Sequence, residues 1–361
     1  MRSSSMDIAG LYAKFGKNLP RFFMTFLDNR RVFLTNATPR RGPLAVVYNL
    51  SAKCDAKCPF CGYWRAGQEH GTELSFSEKS ELIRGLAKAG VWLLSFCGAE
   101  PLLVEEIDAL MHLAKSSGML VNISTNGSRL FEKTSSILRS GVDSVTVSVD
   151  SHTRAVHDRL RNSPGLFEAL SIGIDGLKCS RKGKSPWLTA RCLVSRENWF
   201  SLREYVEHWS GRVDEIVFKP VCSSSDGMFL IPPEMAPDPE RKAEFIAYFA
   251  DILRDHPKLD TPYHRHLAEY LFGSCAGAQT YCFAGTFFAD IDREGYLHPC
   301  TEYGSKLGNV IREGFLGVWS SPEARKFRSN IRKLKKCSSC WGDKFSSGIM
   351  VERVLKLTGG I

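Results

Sequence analysis

The sequence has no apolar stretch approaching the ~20 residues that a membrane-spanning helix needs, because charge interrupts every hydrophobic run well before that length. Its opening, Met1 to Met6, is polar and lacks the apolar core of a secretory signal. Neither an integral membrane protein nor an exported one is therefore expected, and a cytoplasmic location is the default. Internal repeats and low-complexity tracts are also missing. Acidic residues are scarce at the start: residues 1 to 45 hold eight Lys or Arg against only Asp7 and Asp28, which puts six of the nine net positive charges there.

What remains is an ordinary globular composition. A chain of 361 residues with 43% hydrophobic content can bury one large α/β core plus a smaller module, or two modest domains. Twelve cysteines without an export signal read better as metal ligands than as a disulfide framework. In the basic opening, Leu11, Phe15, Leu19, Phe22, Phe23, Phe26 and Leu27 recur at near-helical spacing, with Pro20 interrupting the pattern. Two readings stay open: a helix that packs its apolar stripe on the body of the protein, or one that docks on a membrane surface or a lipid substrate. No nucleic-acid module or base-stacking motif accompanies the charge, so nucleic acid is not an expected partner.

Six apolar, β-branched runs are each followed by a segment of helical periodicity: Leu44 to Leu50, Trp92 to Cys97, Leu120 to Thr125, Ser144 to Val149, Leu188 to Val194 and Ile216 to Val221. That alternation predicts a parallel sheet with crossover helices, a partial (β/α)6 TIM-like barrel whose chemistry sits at the carboxyl ends of the strands. Ser75 with Glu78 predicts a capping box, and Pro164 the start of a helix near Leu166 to Leu177. The texture changes after Val221. The expected organisation is a basic aromatic extension (1–43), the barrel (44–225), a helical linker (226–273) with a helix from Glu240 to Asp255, a cysteine-rich domain (274–345) and a tail (346–361).

Cys54, Cys58 and Cys61 form CxxxCxxC on the loop leaving the first strand. Three thiolates on an iron-sulfur cubane leave one iron open to chelate a small ligand. A zinc site would need a fourth local ligand that this loop lacks. A CxxxCxxC motif at this place resembles the radical S-adenosylmethionine (radical SAM) superfamily. Gly98-Ala99-Glu100-Pro101 is similar to the family's GGEP motif, with Ala99 in place of the second glycine. Ser124-Thr125-Asn126-Gly127 and Ser148-Val149-Asp150 match further family positions, Arg161 follows in His157-Asp158-Arg159-Leu160-Arg161, and Phe60 sits where relatives often have an aromatic beside adenine. The resemblance implies a [4Fe-4S] cluster on the three cysteines. It also implies SAM contacts from Phe60, Gly98, Ala99, Glu100, Ser124, Asn126, Ser148, Asp150 and Arg161.

Cys282, Cys300, Cys337 and Cys340 supply four more thiolates, enough to ligate a second cubane completely. Taken alone their spacing also permits a zinc ribbon. With Gly295 before Cys300 and Leu307-Gly308-Asn309-Val310 after it, the segment resembles the auxiliary-cluster extension called SPASM, in its shorter single-cluster form, Twitch. Cys275 is a spare ligand candidate, whereas Cys97, Cys179, Cys192 and Cys222 read as buried small apolar side chains. The basic run from Arg325 to Lys336 offsets cluster charge, guides a flavodoxin- or ferredoxin-like electron donor, or is a solvated helix face.

The resemblance implies reductive cleavage of SAM to a 5′-deoxyadenosyl radical, hydrogen abstraction from substrate, and net oxidation or oxidative bond formation. Small oxygenated molecules, peptides and lipids or isoprenoids all remain candidate substrates, the peptide less so because no leader-binding domain precedes the barrel. Glu302, Tyr303 and Arg191 are candidates to face the cavity, and no catalytic acid or base is identified. The contrasting reading is a zinc-stapled binding protein.

Overall fold

All six apolar runs become strands in the computed structural model, which describes residues 18–66, 73–221, 223, 229–272, 281–300, 305–334 and 351. They are β1 Ala45–Asn49, β2 Leu93–Cys97, β3 Leu120–Thr125, β4 Ser144–Ser148, β5 Trp187–Val194 and β6 Glu215–Pro220. The helices that position the site are α1 Leu19–Thr35, α2 Phe76–Lys88, α3 Ile107–Ser116, α4 Leu130–Ser140, α5 Arg154–Arg161, α6 Leu166–Ser180, α7 Leu202–Trp209, α8 Lys242–Asp255 and α9 Pro322–Leu334. Helix α2 starts on the predicted capping box, with the Ser75 side chain on the Glu78 amide and the Glu78 carboxylate on the Ser75 amide. Three further strands complete one sheet, β7 Phe288–Ile291, β8 Tyr296–His298 and β9 Gly308–Asn309, in the order β6-β5-β4-β3-β2-β1-β7-β8-β9.

Neighbouring strands from β6 to β7 are parallel, and β7, β8 and β9 then run antiparallel. Alternation sends Val46, Tyr48, Leu94, Phe96, Val121, Ile123, Val145, Val147, Leu188 and Ala190 into one buried cluster with α2, α3, α4, α6 and α7. The opposite, inner face is left to the residues between them. The outermost strand is closed by a side chain. Phe218 N–H on β6 donates to His264 Nε2 at 3.0 Å, while His264 Nδ1 lies 2.7 Å from Leu259 O. Burial pushes His264 down to about 4, so the ring stays neutral and can accept at one nitrogen while donating at the other.

One expectation changes. Pro20 does not break the N-terminal helix but occupies its first turn, where a missing N–H costs nothing, so the helix begins at Leu19. Its inward stripe plugs the amino-terminal end of the barrel: Phe22 meets Trp92 with ring centroids 5.0 Å apart, Phe26 meets Phe287 at 5.5 Å and Phe33 meets Phe283 at 5.0 Å. The described part of the basic segment therefore packs on the body of the protein, leaving Phe23, Met24 and Leu27 exposed on its outer side. The cysteine-rich segment is not set apart from the barrel sheet. Its strand β7 pairs with β1 from Ala45↔Phe288 to Tyr48↔Ile291, continuing the barrel by a seventh parallel strand. Among the described residues no helix is long and apolar enough to cross a membrane.

Candidate functional site

The loop from Ser51 to Cys61 leaves the carboxyl end of β1 and is tied to both neighbouring strand ends. Glu100 N–H donates to Lys53 O at 3.0 Å, and Asn126 Nδ2 donates to Asp55 Oδ1 at 2.7 Å while lying 3.9 Å from Cys54 Sγ. Cys61 N–H closes a turn onto Cys58 O at 3.1 Å. From the far side, Leu230 N–H bonds Phe60 O at 3.2 Å, and Cys61 bridges Phe229. Cys58 is buried, and Cys54 and Cys61 are half-buried. Burial pushes the Cys54 thiol up to about 12 and Cys61 up to about 11, and raises Cys58 as well.

Protonated thiols in so dry a loop become thiolates when a cation compensates them, which suits iron ligation and couples loading to proton release. Among the described residues no group of three or more His, Cys, Asp or Glu is arranged to hold a single metal ion.

After β2 the chain turns sharply. Gly98 has φ +78°, and a side chain there would place its Cβ 2.8 Å from Asn49 Cα, so only glycine lets β2 pass the end of β1. Ala99 follows at φ +44°, a left-handed conformation that costs an L-residue about 1–2 kcal/mol. Glu100 is fully buried, and its carboxylate faces the β3 loop: Oε1 accepts from Leu102 N–H at 2.9 Å and Thr125 Oγ1 at 2.7 Å, and Oε2 from Asn126 N–H at 2.6 Å. Asn126 is committed too, since Oδ1 accepts from Ser128 N–H at 2.8 Å and Nδ2 serves Asp55. Glu100 and Asn126, both expected to touch SAM, also fix the cysteine loop to β2 and β3. At most one Glu100 lone pair is left.

Burial pushes Glu100 up to about 7 in spite of those three donors. A carboxyl whose folded value lies above its unfolded one stabilises fully below about 4.5, and that contribution drains away as pH rises toward 7. Between those limits the apoprotein should lose about 3 kcal/mol from this group. Glu100→Gln should flatten that part of a pH series of denaturant unfolding curves, and an unchanged slope would contradict the assignment.

At the end of β4, Asp150 is 1% exposed and pairs with Arg161 of α5, whose Nη2 lies 2.9 Å from Oδ1 and whose Nε bonds Oδ2. Asp150 also accepts Leu193 N–H at 2.9 Å. Arg161 interacts electrostatically with Cys58 and lies 5.4 Å from the centroid of the Phe60 ring. Burial alone would lower Arg161, but the charges of Asp150 and Cys58 outweigh it, so the guanidinium is held firmly protonated beside the cysteine loop. His157 Nδ1 accepts Asp150 N–H at 3.1 Å, and burial pushes that ring down to about 4.

Asn122 and Lys219, which sequence reasoning missed, share the inner face with the expected Arg191, Ser124 and Ser148. Asn122 on β3 ties three strands together: Nδ2 donates to Ser95 Oγ at 2.8 Å and Ser124 Oγ at 3.2 Å, while Oδ1 accepts from Ser144 Oγ at 2.8 Å and Thr146 Oγ1 at 3.2 Å. The register sets Ser148 opposite Arg191, and Leu193 opposite Lys219, so both cations share this face toward the carboxyl ends of β5 and β6. Lower down, Thr189 donates to Glu215 at 3.0 Å. The signal was in the sequence: polar residues at alternate positions inside runs that otherwise read as apolar. Asp55 was missed although it lies within the CxxxCxxC motif.

Of the second cysteine set, Cys300 is buried just after β8 and Cys282 half-buried before β7, whereas Cys337, Cys340, Cys275, Cys222, Glu302 and Tyr303 lie outside the described residues. Cys192 is buried as expected for an inert thiol, but Cys179 is exposed on the last turn of α6, against expectation, because that helix turns its Leu170, Ile174 and Leu177 stripe inward.

Residues 48–174 match the radical SAM superfamily, and residues 282–341 match SPASM, an iron-sulfur cluster-binding domain. An AdoMet-dependent heme synthase of Methanosarcina barkeri is 26% identical over 88% of this chain and 92% of its own. A pre-heme d1 synthase of Dinoroseobacter shibae is 24% identical over 87% of this chain and 83% of its own. Among solved structures, Streptococcus suis SuiB bound to S-adenosylmethionine superposes with a TM-score of 0.64 at 17% identity, covering 83% of this chain and 70% of that one, a likeness of fold. This chain belongs to the radical SAM superfamily and carries a C-terminal SPASM domain, and with them a SAM-binding [4Fe-4S] cluster and auxiliary iron-sulfur binding.

Proposed function

We propose that this radical SAM enzyme oxidises a polar, carboxylate-bearing small molecule, with tetrapyrroles as the first class to test. Cys54, Cys58 and Cys61 would hold the SAM cluster, and Cys282, Cys300, Cys337 and Cys340 the auxiliary one. The observation that carries the substrate reading is the polar inner face, with Asn122 and its four hydroxyl partners along the strands and Arg191 and Lys219 near the strand ends. Such a wall suits an anionic, hydrogen-bonding substrate and disfavours an isoprenoid chain, since hydroxyls and cations facing hydrocarbon would lose their partners. The two heme-forming relatives, similar over most of their length, support the tetrapyrrole class.

When bound, SAM and its cluster supply a 5′-deoxyadenosyl radical able to take hydrogen from an unactivated carbon. The chain's own groups position and enclose. Glu100, Asn126 and Asp55 fix the cysteine loop against β2 and β3. Gly98 and Ala99 present turned backbone beside it, and the SAM contacts proposed for Ser124, Ser148, Asp150 and Phe60 lie on or beside the strand ends. Arg161 keeps a positive charge at Cys58, where it can meet the carboxylate of SAM. Helix α1 seals the far end of the barrel, which keeps water away from a reactive carbon centre. The auxiliary cluster, if held by Cys282, Cys300, Cys337 and Cys340, would supply a one-electron acceptor, with a flavodoxin- or ferredoxin-like protein as the external carrier.

The test is anaerobic turnover with SAM, reductant and deuterated tetrapyrrole carboxylates, scored by deuterium in 5′-deoxyadenosine. Transfer is expected, with Arg191→Gln and Lys219→Gln raising KM at least about tenfold, the size of losing one charge-assisted hydrogen bond. Deuterium transfer from an uncharged lipid but from no carboxylate would overturn the reading.

A further inference from the structure

Arg328 on α9 is 2% exposed. Its Nη1 donates to Trp319 O at 3.1 Å and Gly285 O at 3.3 Å, its guanidinium lies 5.5 Å from the Trp319 ring centroid, and its buried Nε has no hydrogen-bond partner. No carboxylate among the described residues pairs with it. A buried guanidinium answered only by carbonyl oxygens and a ring face costs several kcal/mol unless a negative charge lies nearby. Burial first, and then the neighbouring charge of Arg325, push it down to about 10, which still leaves it cationic at neutral pH.

Its neighbours lie beside Cys282 and Cys300 in the chain. Gly285 is three residues beyond Cys282, and its N–H bonds Phe288 O at 2.8 Å. β8 pairs with β7 through Asp290↔His298 and Ile291↔Leu297 and ends at His298, two residues before Cys300. A Cβ on Gly285 would lie 3.3 Å from Pro299 and 2.7 Å from the ring of Phe327, the residue before Arg328. The chain just after Cys282 and the residue just before Cys300 thus meet beside this guanidinium.

We propose that Arg328 is the fixed counter-charge of the auxiliary iron-sulfur cluster and sets its reduction potential. The inference rests on the assignment of Cys282 and Cys300 as ligands and not on the substrate reading. A cluster bound by four thiolates is anionic and gains a further negative charge on reduction, so an adjacent buried cation favours the reduced state. Arg328 touches no substrate and is a positioning residue for electron flow.

The test is an EPR-monitored redox titration of the full chain with Cys54, Cys58 and Cys61 replaced by Ala, so that only the auxiliary site reports and no SAM chemistry enters. Arg328→Gln, which keeps size and hydrogen bonding, should shift the reduction equilibrium about tenfold toward the oxidised cluster, 59 mV lower for a one-electron couple. Arg328→Lys should stay within about threefold of the parent. Three outcomes overturn the proposal: a Gln variant with parental iron content and parental potential, equal loss of iron by the Gln and Lys variants as a purely structural role would give, or no C-terminal cluster in the parent.

Discussion

Cys58→Ala protein, reconstituted anaerobically and given dithionite and SAM, should produce 5′-deoxyadenosine only at background. Cys58 is the deepest of the three loop thiols, at 6% exposure, and the charge of Arg161 acts on it. Removing it leaves two sulfurs, too few to hold a cubane that keeps a single iron open. Cys97 interacts with Cys61 electrostatically but sits at the end of β2, on a strand whose pairing with β1 and β3 fixes it, so it cannot move in to substitute. Iron should fall by about half if the C-terminal cysteines hold one further cluster. Cleavage of SAM at the parental rate would remove the three-cysteine assignment.

Arg161→Ala should cost about 3–5 kcal/mol of stability, because it leaves Asp150 as an uncompensated buried carboxylate. At 11% and 1% exposure both members are dry, so solvent does little to screen the loss. A double substitution, Asp150→Asn with Arg161→Gln, should recover most of that stability, since replacing both members of a buried pair is often neutral. It should not recover SAM cleavage, because the positive charge beside Cys58 and Phe60 is still missing. Urea unfolding of the apoproteins separates the two effects. If the double variant regains cleavage along with stability, Arg161 is a structural residue alone.

The parallel sheet was legible because each strand announces itself by a β-branched run; β3 matches its predicted span, and the others agree to within about two residues at each end. Helix α2 was legible from Ser75 and Glu78, whose reciprocal bonds need only local chain. What escaped reading depends on pairing between distant segments. Phe288–Ile291 is too short to signal a strand alone, and only its register against Ala45–Tyr48 makes it one. The site shows the same division. Spacing exposes Cys54, Cys58 and Cys61, and local order exposes Gly98 to Glu100, yet nothing local says that the Glu100 carboxylate holds the Asn126 amide, or that Asn126 holds Asp55. Sequence motifs report which residues gather at the strand ends. They do not say which of them are spent on holding the others in place.

The measurement closest to the centre of this account is the EPR spectrum of reduced, reconstituted protein whose Cys337 and Cys340 are replaced by Ala, recorded with and without SAM. A cluster held by Cys54, Cys58 and Cys61 with one open iron should change its g-values when SAM is added. A signal identical in both samples would contradict it.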